Sequence, residues 1–281
     1  MSTVASLLAE GTAALAAAGI ENPRFEAGVL LGAATGRTRT RLASLPTEAV
    51  AASDAAQYRA FVARRAAREP MAYVLGRAEF WSLGFAVGPG VLVPRPDTET
   101  LVEVATRAFP DRARALRVLD LGVGSGCLLL SLLHHFPNAR GVGTDTSPRA
   151  LAYARLNAER LGVDPRAELV ETAWAQNVAG PFDVIVSNPP YVPSGGIDGL
   201  QPEVSRFEPR AALDGGPDGL DAYRAVLPEL PRLLSPDGSA FLEIGRGQDA
   251  SVVPMAMERF PSCRLHRDLA GVTRCLELRP P

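Results

Sequence analysis

The chain has 281 residues, of which 47% are hydrophobic, so it can bury a full core in one large domain or in two unequal ones. Its formal net charge is −2, and no long run of like charges occurs, so charge does not indicate a nucleic-acid or membrane-surface binder. No positively charged start leads into an apolar run, and no apolar stretch is long enough to cross a bilayer. A cytoplasmic protein without membrane association is therefore expected.

The cysteines, histidines and basic residues exclude several kinds of chemistry. Three cysteines share no close spacing, and the adjacent His134 and His135 would point to different faces of a helix, so no metal site is expected. All 29 basic residues are arginines. A Schiff-base lysine and a phosphate-loop lysine are therefore both excluded.

The first part of the chain is rich in alanine and has apolar residues at helical spacing, for example Val4, Leu7 and Leu15. Residues 1–75 are therefore predicted to form a small helical-bundle domain. From residue 76 to residue 95, apolar and small residues alternate around Gly84 and the Gly88–Gly90 turn. This pattern predicts a β-hairpin that links two domains.

Residues 96–281 show short β-rich runs that alternate with helical stretches, which is typical of a parallel sheet with crossover helices. A mostly parallel, seven-stranded, Rossmann-like α/β domain is therefore predicted. The strands are expected at residues 117–121, 141–145, 168–171, 183–187, 240–244, 264–268 and 274–278.

A glycine-rich turn follows the first predicted strand of this domain. The strand ends in Val118–Leu121, the turn is Gly122–Gly126, and a helix is expected from Cys127. Glycines let the backbone approach a ligand closely, and the amino end of the helix favours a negative group. Because a dinucleotide-binding turn would have glycine or alanine in place of Cys127, the spacing favours S-adenosylmethionine over NAD.

Asp145 closes the second predicted strand, about twenty residues after the glycines. A carboxylate at this place can accept hydrogen bonds from both hydroxyls of a ribose. Asp145 could instead cap the next helix, but Ser147 and Pro148 already supply an N-cap and a first helical residue. We therefore expect Asp145 to be free for a ligand.

The four residues Asn188-Pro189-Pro190-Tyr191 directly follow the apolar strand 183–187, so they are expected at the carboxyl edge of the sheet, where ligands bind in open α/β folds. The side-chain carbonyl of Asn188 and the backbone carbonyl of Pro189 can both accept hydrogen bonds from one NH2 group. This grip favours loss of conjugation in an amide, so that the nitrogen lone pair can attack a sulfonium methyl group. Tyr191 would stack on the planar group. The alternative is an Asn-Pro turn without chemistry.

Together these motifs resemble the protein-glutamine N5-methyltransferases that modify the Gly-Gly-Gln loop of peptide chain release factors. The matching segments, which follow the family's order over nearly the whole chain, are residues 69–76, 79–81, 93–99, 120–126, 187–193, 207–210, 213–216, 218–220 and 242–245. The resemblance implies a class I methyltransferase fold, an S-adenosylmethionine cosubstrate, no metal and a release factor as partner. A monomer is expected. It also implies that the helical domain docks the release factor.

The resemblance further assigns the site residues. Asn188, Pro189 and Tyr191 would be catalytic, and Asn188, Pro189, Pro190 and Tyr191 would hold the glutamine amide. The residues implied to contact S-adenosylmethionine are Gly122, Gly124, Ser125, Gly126, Asp145, Trp174 and Asn188.

Several positions depart from the family pattern. Ala173 stands where the family usually has an acidic residue, so it cannot hydrogen-bond the adenine amino group, while Trp174 could stack on adenine or belong to the core. This departure leaves open a paralogue that methylates a small-molecule amide or amine. An exocyclic amine in nucleic acid would fit the same grip, but low basic charge and the lack of a target-recognition domain count against it.

Charged residues beside these motifs have two interpretations. Arg95, Asp97 and Glu99 could lie near the active site or be a solvated cap before a helix. Glu208 and Arg210 lie in a stretch rich in glycine and proline, which suits a substrate lid, but a simple salt bridge would explain them equally well.

Overall fold

The computed structural model describes residues 2–280 and divides the chain into two compact units. A helical unit ends at Gly76 and also includes Gln201–Phe207. The second unit comprises Arg77–Leu200 and the chain from Glu208 onward.

The helices and strands within residues 2–280 are numbered in chain order. The helices are α1 Val4–Ala17, α2 Pro23–Thr35, α3 Arg39–Ser44, α4 Ala52–Ala66, α5 Met71–Leu75, α6 Glu99–Ala108, α7 Cys127–His135, α8 Pro148–Leu161, α9 Pro202–Ser205, α10 Asp221–Val226, α11 Leu230–Leu233 and α12 Asp249–Met257. The strands are β1 Arg77–Phe80, β2 Leu83–Ala86, β3 Arg117–Leu121, β4 Arg140–Asp145, β5 Ala167–Glu171, β6 Phe182–Ser187, β7 Leu234–Glu243, β8 Ser262–Arg267 and β9 Thr273–Arg279. None of the helices in the described part of the chain combines the length and the apolar character that a bilayer span requires.

The helical prediction for the first part of the chain is confirmed. Helix α1 begins after Thr3, whose side chain forms a capping box with Ser6. Helices α1 and α4 approach closely because Gly11 leaves room for the ring of Tyr58, whose hydroxyl donates a hydrogen bond to the backbone carbonyl of Leu7 at 3.0 Å. This contact is fully buried, so it joins the two helices from inside the core.

Residues 201–207 belong to the helical unit, although the predicted boundaries placed them in the methyltransferase domain. Glu203 in α9 accepts from Arg65 at 2.8 Å and from Arg68 at 2.9 Å. Arg65 also pairs with Glu26 at 2.6 Å. The side chain of Arg65 is only 8% exposed, so these pairs form one largely desolvated cluster rather than surface ion pairs.

The sheet of the second unit has seven strands in the order β5-β4-β3-β6-β7-β9-β8. The strands from β5 to β7 pair in parallel, whereas β9 is antiparallel to β7 and to β8. The mostly parallel, seven-stranded prediction is thereby confirmed. Because β3 lies between β4 and β6, the carboxyl ends of these three strands meet at one edge, where the glycine-rich turn, Asp145 and Asn188 follow them.

A two-stranded hairpin of β1 and β2 precedes this sheet and belongs to the second unit. Its turn is made by Trp81 and Ser82, at φ +53° and +59°, and not by the glycines that the sequence pattern emphasised. Non-glycine residues rarely adopt this left-handed conformation. No glycine or other local signal in the sequence marks a turn at this place.

Candidate active site

A cavity of about 380 Å³ lies at the carboxyl edge of β3, β4 and β6, which is a common size for a small-molecule site. Most of the predicted site residues line it, namely Gly122, Gly124, Ser125, Asp145, Trp174, Asn188 and Pro190. Gly126, Pro189 and Tyr191 are not among the residues that line it. Among residues 2–280 no group of three or more histidine, cysteine or acidic side chains could hold a metal ion.

The glycine-rich turn has the backbone that its sequence requires. Gly122, Gly124 and Gly126 have φ angles of +79°, +54° and +85°, which favour glycine at all three positions. A β-carbon at Gly126 would lie 2.7 Å from Leu130 Cδ1, so this glycine also serves helix packing. Gly122 and Gly124 have no such close neighbour, and both line the cavity.

Asp145 already accepts hydrogen bonds within the protein, whereas the sequence predicted that it would be free for a ligand. Its Oδ2 accepts from the backbone N–H of Gly124 at 3.0 Å, and its Oδ1 accepts from that of Ser147 at 2.9 Å. Ser147 caps α8 as expected, through a hydrogen bond from Ala150 N at 3.2 Å. Because each carboxylate oxygen can accept more than one hydrogen bond, Asp145 can fix the glycine turn and still accept from a ligand.

Asp120, which the sequence interpretation did not select, is a further polar group of the cavity. It is 1% exposed; its Oδ2 accepts from Leu129 N at 3.2 Å, and its Oδ1 has no hydrogen-bond partner within residues 2–280. Burial, with the nearby Asp145 carboxylate, raises the pKa of Asp120 to about 7. The available signal was a single acidic residue inside the otherwise apolar run of residues 118–121.

Trp174 lies beside the glycine turn. Its ring atom Cζ3 is 3.9 Å from the place that a β-carbon on Gly122 would occupy. The residue is half-buried and has a φ angle of +50°. A non-glycine residue in this conformation is held there by its surroundings, which is more common at functional sites than in ordinary core.

The amide of Asn188 follows the last residue of β6 and is half-buried. Its Nδ2 donates to Thr98 Oγ1 at 3.2 Å, so its Oδ1 is the atom that remains available as an acceptor. Tyr191 donates its hydroxyl to Glu243 Oε1 at 3.1 Å. Burial, together with the charge of Glu243, raises the pKa of Tyr191, which therefore remains a neutral phenol.

Three glycines pack closely against residues 190 and 191, two of them against the backbone and one against the ring of Tyr191. A β-carbon would lie 2.8 Å from Pro190 O at Gly215, 2.5 Å from Tyr191 O at Gly219 and 3.0 Å from Tyr191 Cδ2 at Gly245. Gln248 Nε2 also donates to Tyr191 O at 3.0 Å. The loop is thus held in one conformation by close packing and by its own hydrogen bonds.

The charged residues next to the predicted motifs form pairs. Arg95, which lines the cavity, donates to Glu208, a residue only 6% exposed that also accepts from Val93 N at 3.2 Å. Asp97 pairs with Arg274 at 2.6 Å. The structure therefore supports the salt-bridge interpretation of Glu208. The salt bridge with Arg95 holds Glu208 next to the cavity wall.

Comparison with known proteins gives consistent results over both units. The family model of the PrmC N-terminal domain matches residues 6–76, and that of the methyltransferase small domain matches residues 97–199. A relative from Rhodospirillum rubrum named release factor glutamine methyltransferase is 44% identical over 275 residues, which cover 97% of this chain and 84% of the relative. A relative of the same name from Geobacter sulfurreducens is 45% identical over 262 residues, which cover 92% of this chain and 90% of the relative.

Among solved structures, the Thermus thermophilus 16S rRNA N2 G1207 methyltransferase RsmC, in complex with AdoMet and guanosine, has a TM-score of 0.53. It is 20% identical to this chain, and the match covers 72% of this chain and 49% of the RsmC chain. At this identity the likeness shows the methyltransferase fold alone.

Proposed function

Because this chain belongs to the release factor glutamine methyltransferase family, we propose that its sheet-edge cavity binds S-adenosylmethionine and that Asn188-Pro189-Pro190-Tyr191 presents the glutamine of a release factor to it. The chain is an enzyme that methylates the side-chain amide nitrogen of glutamine in a release factor, as its close relatives are named. The residues that carry this activity, and the donor, are the subject of the proposal.

The cavity fits the donor at several points. The unpartnered, buried Oδ1 of Asp120 calls for a cation, and the ammonium group of the methionine part supplies one. Gly122 and Gly124 allow close approach of the backbone, Asp145 can accept from the ribose hydroxyls, and the ring of Trp174 offers a surface for adenine. S-adenosylmethionine would supply an electrophilic methyl group on a sulfonium, and transfer of this group to nitrogen would break the S–CH3 bond and leave a neutral thioether.

The observation that carries the proposed function is the orientation of the Asn188 amide. Since Nδ2 of Asn188 donates to Thr98, its Oδ1 can accept one hydrogen of the substrate NH2 group, and the backbone carbonyl of Pro189 can accept the other. Two acceptors on one NH2 group fix its plane and draw electron density onto the nitrogen, whose lone pair then becomes available for attack. The proton lost from nitrogen passes to water, so no general base is required.

The helical unit, which ends at Gly76, is proposed to dock the release factor, since its family model occurs together with the methyltransferase domain. A substrate that acts in translation termination implies a cytoplasmic reaction. We propose that the enzyme works as a monomer.

The test is mass spectrometry of a recombinant release factor after incubation with the enzyme and S-adenosylmethionine. We expect the mass of one added methyl group on the glutamine of the Gly-Gly-Gln loop, and no addition with Asn188→Ala. Incubation of labelled donor with a cell extract covers the alternatives. Label in nucleic acid or in a small molecule, with an unmodified release factor, would contradict the proposed function.

A further inference from the structure

We propose that Glu243, a buried carboxylate that the mechanism above does not use, is a positioning residue that fixes the orientation of the Asn188 amide through the hydroxyl of Thr98. This role presupposes that Asn188 holds the substrate amide, as proposed above. The proposed role of Glu243 explains which end of the Asn188 amide faces the substrate.

Glu243 is the last residue of β7 and lies at the same edge of the sheet as the cavity, with 1% of its surface exposed. Its Oε1 accepts from the hydroxyl of Tyr191 at 3.1 Å. The hydroxyl of Thr98 faces the same carboxylate closely enough to lower its pKa, while Oε2 of Glu243 has no partner at good hydrogen-bond geometry within residues 2–280. A buried carboxylate oxygen is costly without a donor, and the rotatable hydroxyl of Thr98 supplies one.

The direction of each hydrogen bond then follows from the chemistry of the groups. An ionised carboxylate can only accept, so Thr98 donates its single hydroxyl hydrogen to Glu243. The oxygen of Thr98 is left as an acceptor, and the contact with Asn188 at 3.2 Å must be donated by Nδ2. The Oδ1 of Asn188 is thereby kept for the substrate.

A reversed amide would present its own NH2 group to the substrate NH2 group, which replaces an attractive contact by two facing donors. Without the carboxylate, Thr98 could donate to the Asn188 Oδ1 as readily as accept from its Nδ2, and both orientations would be populated. Glu243 therefore acts indirectly on the substrate amide, because it orients the Asn188 amide through the hydroxyl of Thr98.

Some of the groups around Glu243 favour its ionised form and others oppose it. Burial raises its pKa to about 7, and Asp97 adds to this, whereas Thr98, Tyr191 and the guanidinium of Arg274 lower it. Arg274 is held between Asp97 at 2.6 Å and Asp268 at 3.2 Å. The guanidinium of Arg274 is thus held in place near Glu243, whose carboxylate must accept hydrogen bonds from two hydroxyls.

The test compares Thr98→Val, which removes the hydroxyl at nearly constant shape, with Thr98→Ser, which keeps it. For Thr98→Val we expect kcat to fall by about 10- to 100-fold, because the reacting amide is misoriented. Calorimetry should show the Kd for S-adenosylmethionine within about twofold of wild type, since Asp120, Asp145 and Trp174, the side chains proposed to bind the donor, are unchanged. Thr98→Ser should restore kcat to within about threefold of wild type.

Glu243→Gln should lower kcat in the same way, and the double variant with Thr98→Val should be no slower than Thr98→Val alone, because both changes act on one path. Glu277→Gln is the matched control. Glu277 is a glutamate of the same sheet, 4% exposed, that pairs with His266 and Arg279. Its replacement should leave kcat unchanged.

The outcomes separate this role from the proposed function. If the wild-type enzyme does not methylate a release factor, the proposed function fails. If the wild type is active and Asn188→Ala is not, but Thr98→Val keeps the wild-type kcat, the positioning role of Glu243 is wrong. Multiplicative losses in the double variant, or an equal loss in Glu277→Gln, would also contradict it, since they would indicate a general structural effect.

Discussion

Replacement of Asp120 by asparagine should stabilise the protein and weaken donor binding at the same time. The native carboxylate is 1% exposed and has one oxygen without a partner in the described chain. Asparagine has nearly the same shape and keeps an oxygen for Leu129 N, but it carries no charge. The change therefore removes the cost of a buried charge together with the group that would pair with the donor's ammonium.

The size and sign of the stability effect follow from the pKa. Burial raises the pKa of Asp120 from 3.8 to about 7, and since one pKa unit corresponds to about 1.4 kcal/mol, the ionised form costs the native state on the order of 4 kcal/mol. Between about pH 4 and pH 7 the unfolded chain has lost this proton while the native chain keeps it. Stability therefore falls as the pH rises through this window, and the full cost is present above it.

The buried NH2 group of the new asparagine replaces an oxygen and costs roughly 1–3 kcal/mol unless it finds an acceptor. We therefore expect a net gain in the free energy of unfolding of about 1–3 kcal/mol at pH 8, which becomes smaller toward pH 5. Urea unfolding at both pH values measures it. Calorimetry should show donor affinity reduced by about 10- to 100-fold, the loss of one charge-assisted contact.

Asp183→Asn is the control for Asp120→Asn. Asp183, at the opposite end of β6, pairs with Arg114 at 3.4 Å and accepts from Arg117 N at 2.9 Å. Its replacement should lower stability and leave donor binding intact. If Asp120→Asn destabilises the protein equally at pH 5 and pH 8, or binds the donor as wild type does, the charge of Asp120 has neither the cost nor the role inferred here.

Three further changes test the packing of the site and of the helical unit. Gly219→Ala, at φ +78° and with its new β-carbon 2.5 Å from Tyr191 O, should lower Tm and kcat together, whereas Gly84→Ala, which has open space, should change neither. Trp174→Ala should weaken donor binding roughly tenfold, and in a Trp81→Phe background the fluorescence of Trp174 should change on donor addition; an unchanged spectrum would place adenine elsewhere. Arg65→Ala should reduce the free energy of unfolding by about 3–5 kcal/mol in chemical denaturation, because the largely buried Glu26 loses its partner and Glu203 keeps only Arg68; a loss below about 1 kcal/mol would mean that the pairs are solvated.

The strands of the sheet were predictable because their signals are local. Apolar runs bounded by glycine, proline or acidic residues placed β3 at its observed bounds and β6 within one residue of its start. The glycine-rich turn and the loop that begins at Asn188 follow these strands directly. Their meeting at one edge is a consequence of parallel pairing, so it too could be inferred.

The parts that were not predictable depend on contacts between distant residues. Residues 201–207 belong to the helical unit because Glu203 meets Arg65, which is 138 positions away along the chain. The turn at Trp81 and Ser82 has no glycine to mark it. Propensity and periodicity carry no information about such pairs or about enforced left-handed residues.

Asp120 and Glu243 show an intermediate case. Each is a lone acidic residue in an apolar strand run, so its burial could be inferred from the sequence, and a buried carboxylate must have a partner or a raised pKa. The identity of the partner could not be inferred. Leu129 N lies nine positions from Asp120, whereas Tyr191 lies 52 positions from Glu243.

These two carboxylates lie on strands that flank β6, the strand that ends at Asn188, and each has a pKa of about 7. Asp120 must be ionised to pair with the donor, and Glu243 must be ionised to accept from Thr98 and Tyr191. The value of kcat/KM for the donor should therefore rise with pH through about 7, with a slope that approaches two on a logarithmic plot. Once the donor is bound, its ammonium keeps Asp120 ionised, so kcat should show only the Glu243 step. Glu243→Gln should then abolish the pH dependence of kcat, and a kcat profile that keeps the same acid limb in this variant would assign the limb to another group.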